Sequence, residues 1–381
     1  MILNKRKIAF LTGTRADFGK LKSLIEISRI QVDFEVHVFV TGMHLLKEYG
    51  YTLIEVEKCG YEHIHSFANH THESTMDLSL AKTIEGFSAF VKAEKPDLIV
   101  VHGDRIEAMA GAIVGALNNI RVAHIEGGEV SGTIDELIRH SVSKMSHIHF
   151  VSNGKAKVRL IQMGEIPDSI FVIGSPDVDL MLSDKLPSIE KVKSYYGVDF
   201  SNYGIAMFHP VTTEIDNMAL YAETFVDSLI QFDQELVVIF PNNDLGSSFI
   251  LEQYKRLEGN SSFRVFPSIR FEYFLTLLKN ASFMVGNSSA GIREAPYYGI
   301  PVVNIGTRQL NRALHQDIIN CGYNKDEIIE ALSLAIISNF EKEDLYGQGK
   351  SDQMFLEVLQ SERFWEINRQ KQFIDIGQTI L

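Results

Sequence analysis

Cysteine is nearly missing from this chain. Two occur in 381 residues, Cys59 and Cys321, and no C-x-x-C is present. That argues against a disulfide scaffold and against a cysteine-based zinc site, and fits a reducing cytoplasm. Positive charge is also scarce. A formal net charge of −13 excludes the broad basic field that nucleic-acid binding needs, and leaves room only for a local basic pocket holding one anionic ligand. Long apolar runs are lacking too: nothing approaches the ~20 residues that cross a bilayer. At the start, MILNKRKIAFLTGTRAD puts basic residues before an apolar run, Ile8 to Leu11. That run is too short for a signal-peptide core and reads as a first buried strand. Low-complexity linkers are absent. What remains is an ordinary globular composition, 45% hydrophobic and 22% charged, with length for two domains at ~150 residues each.

The most informative stretch is Pro96 to Gly132, PDLIVVHGDRIEAMAGAIVGALNNIRVAHIEGGEVSG. An apolar run, Leu98 to Val101, stops at His102-Gly103-Asp104-Arg105. An Ala/Gly-rich amphipathic helix follows to about Asn118. A second run, Val122 to Ile125, stops at Glu126-Gly127-Gly128-Glu129. This is strand, helix, strand, each strand ending on a carboxylate beside glycine. In open α/β sheets the ligand crevice lies beyond the carboxyl ends of the strands, so Asp104 and Glu126 point at one crevice if the strands are neighbours. Two carboxylates in one pocket are an apparatus for moving protons. Asp135, in the first turn of a helix predicted over Thr133 to Met145, follows closely and is a candidate third carboxylate; its other reading is favourable interaction with the helix dipole.

The same pattern runs through the chain. Strands are predicted at Ile8–Leu11, Glu35–Val40, Ile148–Val151 and Ile170–Ile173 in a first domain. Further strands follow at Tyr203–Phe208, Leu236–Phe240, Phe263–Phe266, Phe283–Val285 and Val302–Ile305. The fold class expected is α/β, two Rossmann-like domains facing a cleft. The expected bounds are 1–180 for the first domain and 181–363 for the second, with an amphipathic helix from Phe364 to Ile376 closing the chain over 364–381. The histidine-rich Tyr61–Glu73 offers His63/His65 and His70/His72 at i, i+2 spacing, but no third ligand is evident from sequence, and a lid or surface loop is expected there.

Anion-binding signals sit at three turns. Arg15 follows the first strand at Thr12-Gly13-Thr14, where glycine and a helix N-terminus suit a phosphate. Gly286-Asn287-Ser288-Ser289-Ala290-Gly291 is the best phosphate cradle, with helix capping as the lesser reading of Ser288 and Ser289. Arg308, after the next strand, is placed to neutralise a diphosphate. Glu294, one turn into the following helix, is placed to meet a ribose hydroxyl, and His209 ends a strand in the same half.

The stretches TGTRADFGKLK, VTGMH, HGDRIEA, HIEGGEVSGTIDELIRHSVSKMSH, HPVTTE, FPNND, GNSSAGIREAP and GTRQ resemble the hydrolysing UDP-N-acetylglucosamine 2-epimerases, the bacterial sialic-acid-pathway type most of all. The likeness runs from residue 8 to about 310 with the motifs in order. It implies the two-domain arrangement called GT-B, UDP bound in the cleft, and a C-terminal helix crossing back to the first domain. It implies catalysis by Asp104, Glu126 and Asp135, and substrate binding by Arg15, His44, Arg105, His209, Asn242, Ser288, Ser289, Glu294 and Arg308. The reaction implied is elimination of UDP to a 2-acetamidoglucal and its rehydration to N-acetylmannosamine, with no cofactor and no metal, in a cytoplasmic homodimer or dimer of dimers. Two alternatives stay open: the same chemistry on a UDP-linked 2,4-diacetamido-trideoxy sugar, and a UDP-sugar glycosyltransferase.

Overall fold

The computed structural model describes residues 5–69, 75–131, 134–184, 186–309, 318–338, 340–342 and 345–375. The chain divides into two α/β units. Unit 1 takes the chain up to Glu129, then Asp135–Ser183, and again from Leu345 on; unit 2 takes 184–344 and the link 130–134.

Unit 1 is built on a seven-stranded parallel sheet: β1 (Arg6–Thr12), β2 (Phe34–Val40), β3 (His63–Ser66), β4 (Leu98–His102), β5 (Arg121–Ile125), β6 (Ile148–Val151) and β7 (Ile170–Val172). The order is β3-β2-β1-β4-β5-β6-β7. Helices cover both faces, which is why the inner strands read as nearly continuous apolar runs. Strand order reverses between β1 and β4, whose register pairs Ile8 with Leu98. The helix Arg15–Arg29 leaves β1 through a capping box. The Thr14 hydroxyl accepts from the Asp17 amide, and the Asp17 carboxylate accepts from the amides of Thr14 and Gly13.

Three expectations are corrected here. The His-rich stretch is not simply a lid, since His63–Ser66 forms the edge strand β3, in register with His37–Val40 of β2. Its sequence hid this because an edge strand needs few apolar residues. His70 and His72 lie outside the described residues. At the other end, the helix expected from Phe364 to Ile376 stops early: among the described residues, which end at Asp375 and leave Ile376 outside, only Glu362–Glu366 is helical in this stretch. Beyond Trp365 the run Glu366 to Gln372 offers one apolar side chain, Ile367, too little for a stripe that would pay for helix formation. Unit 1 holds the main chain there instead. Arg121 donates to the carbonyls of Trp365 and Ile367, the latter at 3.0 Å, and His147 Nε2 donates to the Arg369 carbonyl at 2.7 Å. Residues 345–363 also pack with unit 1, not with the second domain in which the sequence places them. Phe355, in the helix Ser351–Gln360, is fully buried 4.7 Å from Phe150 and 6.4 Å from Phe10.

Unit 2 carries a six-stranded parallel sheet: β8 (Gly204–Met207), β9 (Leu236–Ile239), β10 (Phe263–Phe266), β11 (Phe283–Gly286), β12 (Val302–Ile305) and β13 (Ile319–Cys321). Its order, β10-β9-β8-β11-β12-β13, reverses between β8 and β11. Phe208 stacks on Phe225 at 4.6 Å within its core. Among the described residues no helix is long and apolar enough to cross a membrane.

Candidate active site

In unit 1 the parallel sheet delivers the ends of β4 and β5 side by side, with His102 in register with Ile125. Glu126 follows directly and is almost completely buried. Its φ of +62° lies in the left-handed region, which costs a non-glycine residue about 1 kcal/mol or more. The fold holds that bend from both sides. The Glu126 amide donates to the Phe150 carbonyl at 2.8 Å, and its carbonyl accepts from Arg139 at 2.8 Å. The carboxylate is also fixed: the Ser175 hydroxyl donates to one oxygen, and His102 Nε2 lies 3.0 Å from the other.

Arg139 joins the two strand ends. One guanidinium nitrogen serves the Glu126 carbonyl and another the Asp104 carboxylate. Arg139 is 3% exposed and Asp104 22% exposed at the side chain. Asp104 thus keeps access to solvent while its position is set by a buried cation. Asp135 lies four residues before Arg139 in the helix Ile134–Met145, a spacing that puts both on one helix face. Asp104 and Glu126 are therefore tied through one residue, and Asp135 stands one turn away, half-buried. Behind them His124 is fully buried. Its Nε2 donates to the Gly103 carbonyl at 2.8 Å and its Nδ1 meets the Ser143 hydroxyl at 3.0 Å. Burial pushes its pKa well below the ordinary value, so the ring is neutral and acts as a fixed brace for the Gly103-Asp104 turn.

The turn after β1 is shaped by a second buried carboxylate. A Cβ on Gly13 would lie 2.7 Å from Glu107 Cδ and Cγ, so a side chain there would have to displace that buried carboxylate. Arg105 precedes the helix Ile106–Leu117, and its Nε is 3.7 Å from Glu107 Oε2. Arg15 opens the helix Arg15–Arg29, half-buried. His44 departs from expectation. It is completely buried, with Nε2 3.0 Å from the Thr12 hydroxyl and Nδ1 2.6 Å from that of Thr52. Burial lowers its pKa to about 4. It ties the end of β1 to the segment after β2, so it supports the turn after β1 from beneath instead of lining a surface.

In unit 2 the strand ends at the β8/β11 reversal are stapled by Asn287. Its side chain accepts from the His209 amide at 2.6 Å and donates to the His209 carbonyl at 2.9 Å. His209 Nδ1 accepts from the Asn242 amide at 3.0 Å, which leaves the hydrogen of the neutral ring on Nε2. The Asn242 side chain donates to Asp244. Gly286 has φ +131°, and a Cβ there would lie 1.9 Å from the Met207 carbonyl oxygen. The Ser288 hydroxyl accepts from the Ala290 amide at 3.3 Å, whereas Ser289 makes no side-chain cap to the helix Ala290–Tyr298. Glu294, within that helix, is buried. Arg308 donates to the Asn287 carbonyl at 3.2 Å. Glu214 of the HPVTTE stretch accepts from Thr307 and from the Tyr323 hydroxyl, which fixes the turn carrying Arg308.

Four supporting residues, His102, His124, Arg139 and Ser175, and the staple Asn287 escaped the sequence reading. For Arg139 a signal existed: its i, i+4 spacing from Asp135 within TIDELIR. Ser175 is contributed from 49 residues beyond Glu126, and only the sheet brings them together.

The family model described as UDP-N-acetylglucosamine 2-epimerase matches residues 27–360. The chain is 48% identical to a UDP-N-acetylglucosamine 2-epimerase of Neisseria meningitidis serogroup B, over 98% of this chain and 100% of that one. It is 32% identical to a UDP-N,N'-diacetylbacillosamine 2-epimerase (hydrolyzing) of Legionella pneumophila, over 93% and 96%. In fold it is similar to the crystal structure of the Methanocaldococcus jannaschii UDP-GlcNAc 2-epimerase in complex with UDP-GlcNAc and UDP. The TM-score is 0.81 at 22% identity, covering 93% of this chain and 99% of that one.

Proposed function

Because the chain belongs to the UDP-N-acetylglucosamine 2-epimerase family, we propose that it is the hydrolysing type. It would convert UDP-N-acetylglucosamine and water to N-acetylmannosamine and UDP, for sialic acid biosynthesis. The observation that supports this reading is the Asp104–Arg139–Glu126 arrangement, in which one buried cation holds the Asp104 carboxylate and the Glu126 main-chain carbonyl at adjacent strand ends.

The C-2 hydrogen of the sugar is not acidic, so departure of UDP from C-1 runs ahead of its removal. The C-1–O bond breaks with its electron pair leaving on the diphosphate, giving oxocarbenium character at C-1. Arg15, Arg308, the Ser288/Ser289 turn and the His209 Nε2–H are the groups that stabilise the departing charge. A carboxylate takes the C-2 proton and the C–H pair becomes the C-1=C-2 double bond. Water then adds its oxygen to C-1, and a proton is delivered to the opposite face of C-2. Removal and delivery on two faces need two acid/base groups, drawn from Asp104, Glu126 and Asp135.

Proton NMR of the purified protein with UDP-N-acetylglucosamine in D2O, without acceptor, tests this. Free N-acetylmannosamine deuterated at C-2, together with UDP, is the expected result. UDP-N-acetylmannosamine as product would refute hydrolysis; no consumption would turn the test to the UDP-linked diacetamido sugar, and inertness toward both without an acceptor would favour a glycosyltransferase. A second reading has specific support in the Legionella relative's name: the UDP-linked diacetamido sugar as substrate. Comparing kcat/KM for the two sugars decides between them. Assembly as a homodimer belongs to the same proposal and is read by light scattering.

A further inference from the structure

Away from these carboxylates, unit 1 gathers histidines on the outer strands of its sheet. His37 lies midway along β2, and His63 and His65 on the edge strand β3 share its sheet face. The helix Met76–Glu94 ends against them with Glu94. His37 Nδ1 is 3.1 Å from His65 Nε2 and 3.8 Å from Glu94 Oε2. The three ligand atoms all lie within 4.8 Å of one another. In a tetrahedral zinc site with Zn–N near 2.0–2.1 Å, neighbouring ligand atoms are about 3.3 Å apart. The two separations made by His37 Nδ1, 3.1 Å to His65 and 3.8 Å to Glu94, lie on either side of that value.

The other nitrogen of His37 supplies a second, independent indication. Nε2 lies 2.8 Å from Glu35 Oε1. A carboxylate that takes the far N–H of an imidazole fixes the tautomer and ring orientation and leaves the near nitrogen as a bare donor, the arrangement found behind metal-bound histidines. His37 is 3% exposed at the side chain, so the ring cannot swing away. His63 stacks on it, ring centroids 4.5 Å apart and planes 13° from parallel. Lys7 places its ammonium 3.1 Å from Glu35 and 3.6 Å from Glu94, a cation already bridging the two carboxylates. It is one-third exposed and can turn outward when a divalent ion takes over that charge.

We propose that His37, His65 and Glu94 bind one Zn2+ per chain, with Glu35 orienting His37. Two imidazoles and a carboxylate, with the remaining position open to water or His63, suit zinc. The role is structural. In register, His37 aligns with Ala9 and Ala9 with Ile99, five residues short of Asp104 and two strands across. The ion clamps β3 to β2. From β3 the chain continues to Phe67 and Asn69, which brace the end of β2: the Thr41 hydroxyl donates to the Phe67 carbonyl at 2.6 Å, and the Gly42 amide donates to Asn69 Oδ1 at 3.0 Å.

The test is calorimetric titration of the chelator-stripped full chain with ZnCl2 alone, together with the melting temperature with and without zinc. One saturable site per chain and a raised Tm are expected. The partly exposed ligands are the safe ones to change. His65→Ala and Glu94→Gln should abolish both effects, Glu35→Gln should weaken zinc affinity 10- to 100-fold, and Lys7→Met should tighten it. Absence of a saturable site, or unchanged zinc affinity in both His65→Ala and Glu94→Gln, would overturn the proposal.

Discussion

Arg139→Leu is the most demanding perturbation of this site. The guanidinium is 3% exposed and donates both to the Glu126 carbonyl and to the Asp104 carboxylate. Leucine fills much of the space and removes both donors. A buried carbonyl deprived of its donor costs about 1–3 kcal/mol. A fully buried ion pair broken on one side costs about 3–5 kcal/mol, but Asp104 keeps 22% exposure and water recovers much of that. The sum is about 3 kcal/mol, borne by unit 1. The chain offers a local reporter, because its one tryptophan, Trp365, packs in the unit 1 core against Phe34 and Phe364. With a urea slope of about 2–3 kcal/mol/M, the tryptophan-monitored midpoint should fall by about 1 M. Arg139→Lys keeps the charge but not the fork, and should lose about half as much. Turnover should fall about 100-fold in the leucine variant, the scale of a misplaced catalytic group. A midpoint within about 0.2 M of the parent, or parental turnover, would show that Arg139 does not set the carboxylates.

Three further outcomes are expected from the same geometry. Glu126→Gln should abolish turnover and leave UDP affinity intact by calorimetry; normal turnover would remove Glu126 from the proton transfers. His44 has its folded-state pKa depressed from 6.5 to about 4, so its stabilisation is complete above pH 6.5 and is lost as pH falls toward 4, about 3 kcal/mol in all. In His44→Gln the Trp365-monitored urea midpoint should therefore fall less between pH 7 and pH 4 than in the parent, and an equal fall would refute the assignment. His209→Ala should weaken UDP binding about tenfold, the loss of one charge-assisted hydrogen bond, with unit 2 still folded by circular dichroism; unchanged affinity would remove His209 from the nucleotide site.

The strand ends proposed to carry chemistry are readable because buried parallel strands advertise themselves as apolar runs, and the residues just after each run must lie at the carboxyl edge of the sheet. Asp104, Glu126 and the Gly286–Gly291 turn are of this kind. Residues whose meaning depends on a distant partner are not. Ser175 and Arg139 act on Glu126 from other elements; nothing local marks Ser175, and the one local sign for Arg139 is its i, i+4 spacing from Asp135. His44 shows the converse: its motif position suggests a binding role, but the sequence does not reveal that both ring nitrogens are engaged by Thr12 and Thr52. β3 was hidden because His63-Ile64-His65-Ser66 is polar, and a strand with one open edge tolerates that. The helix Ser351–Gln360 belongs to a core whose other members, Phe364 and Trp365 apart, come from the first half of the chain, so no local signal assigns it to a domain.

That return of the chain has a consequence for synthesis. Unit 2 is an insertion in the sequence of unit 1, and Phe355, Phe364 and Trp365 join the core of β1, β4 and β6 only from the far end. On the ribosome, unit 2 has its whole sequence available before unit 1 does. Unit 1 waits with an open apolar face until Phe355, Phe364 and Trp365 emerge, so a chain terminated before Phe355 would complete the second unit and leave the first, with Asp104 and Glu126, exposed to aggregation and proteolysis.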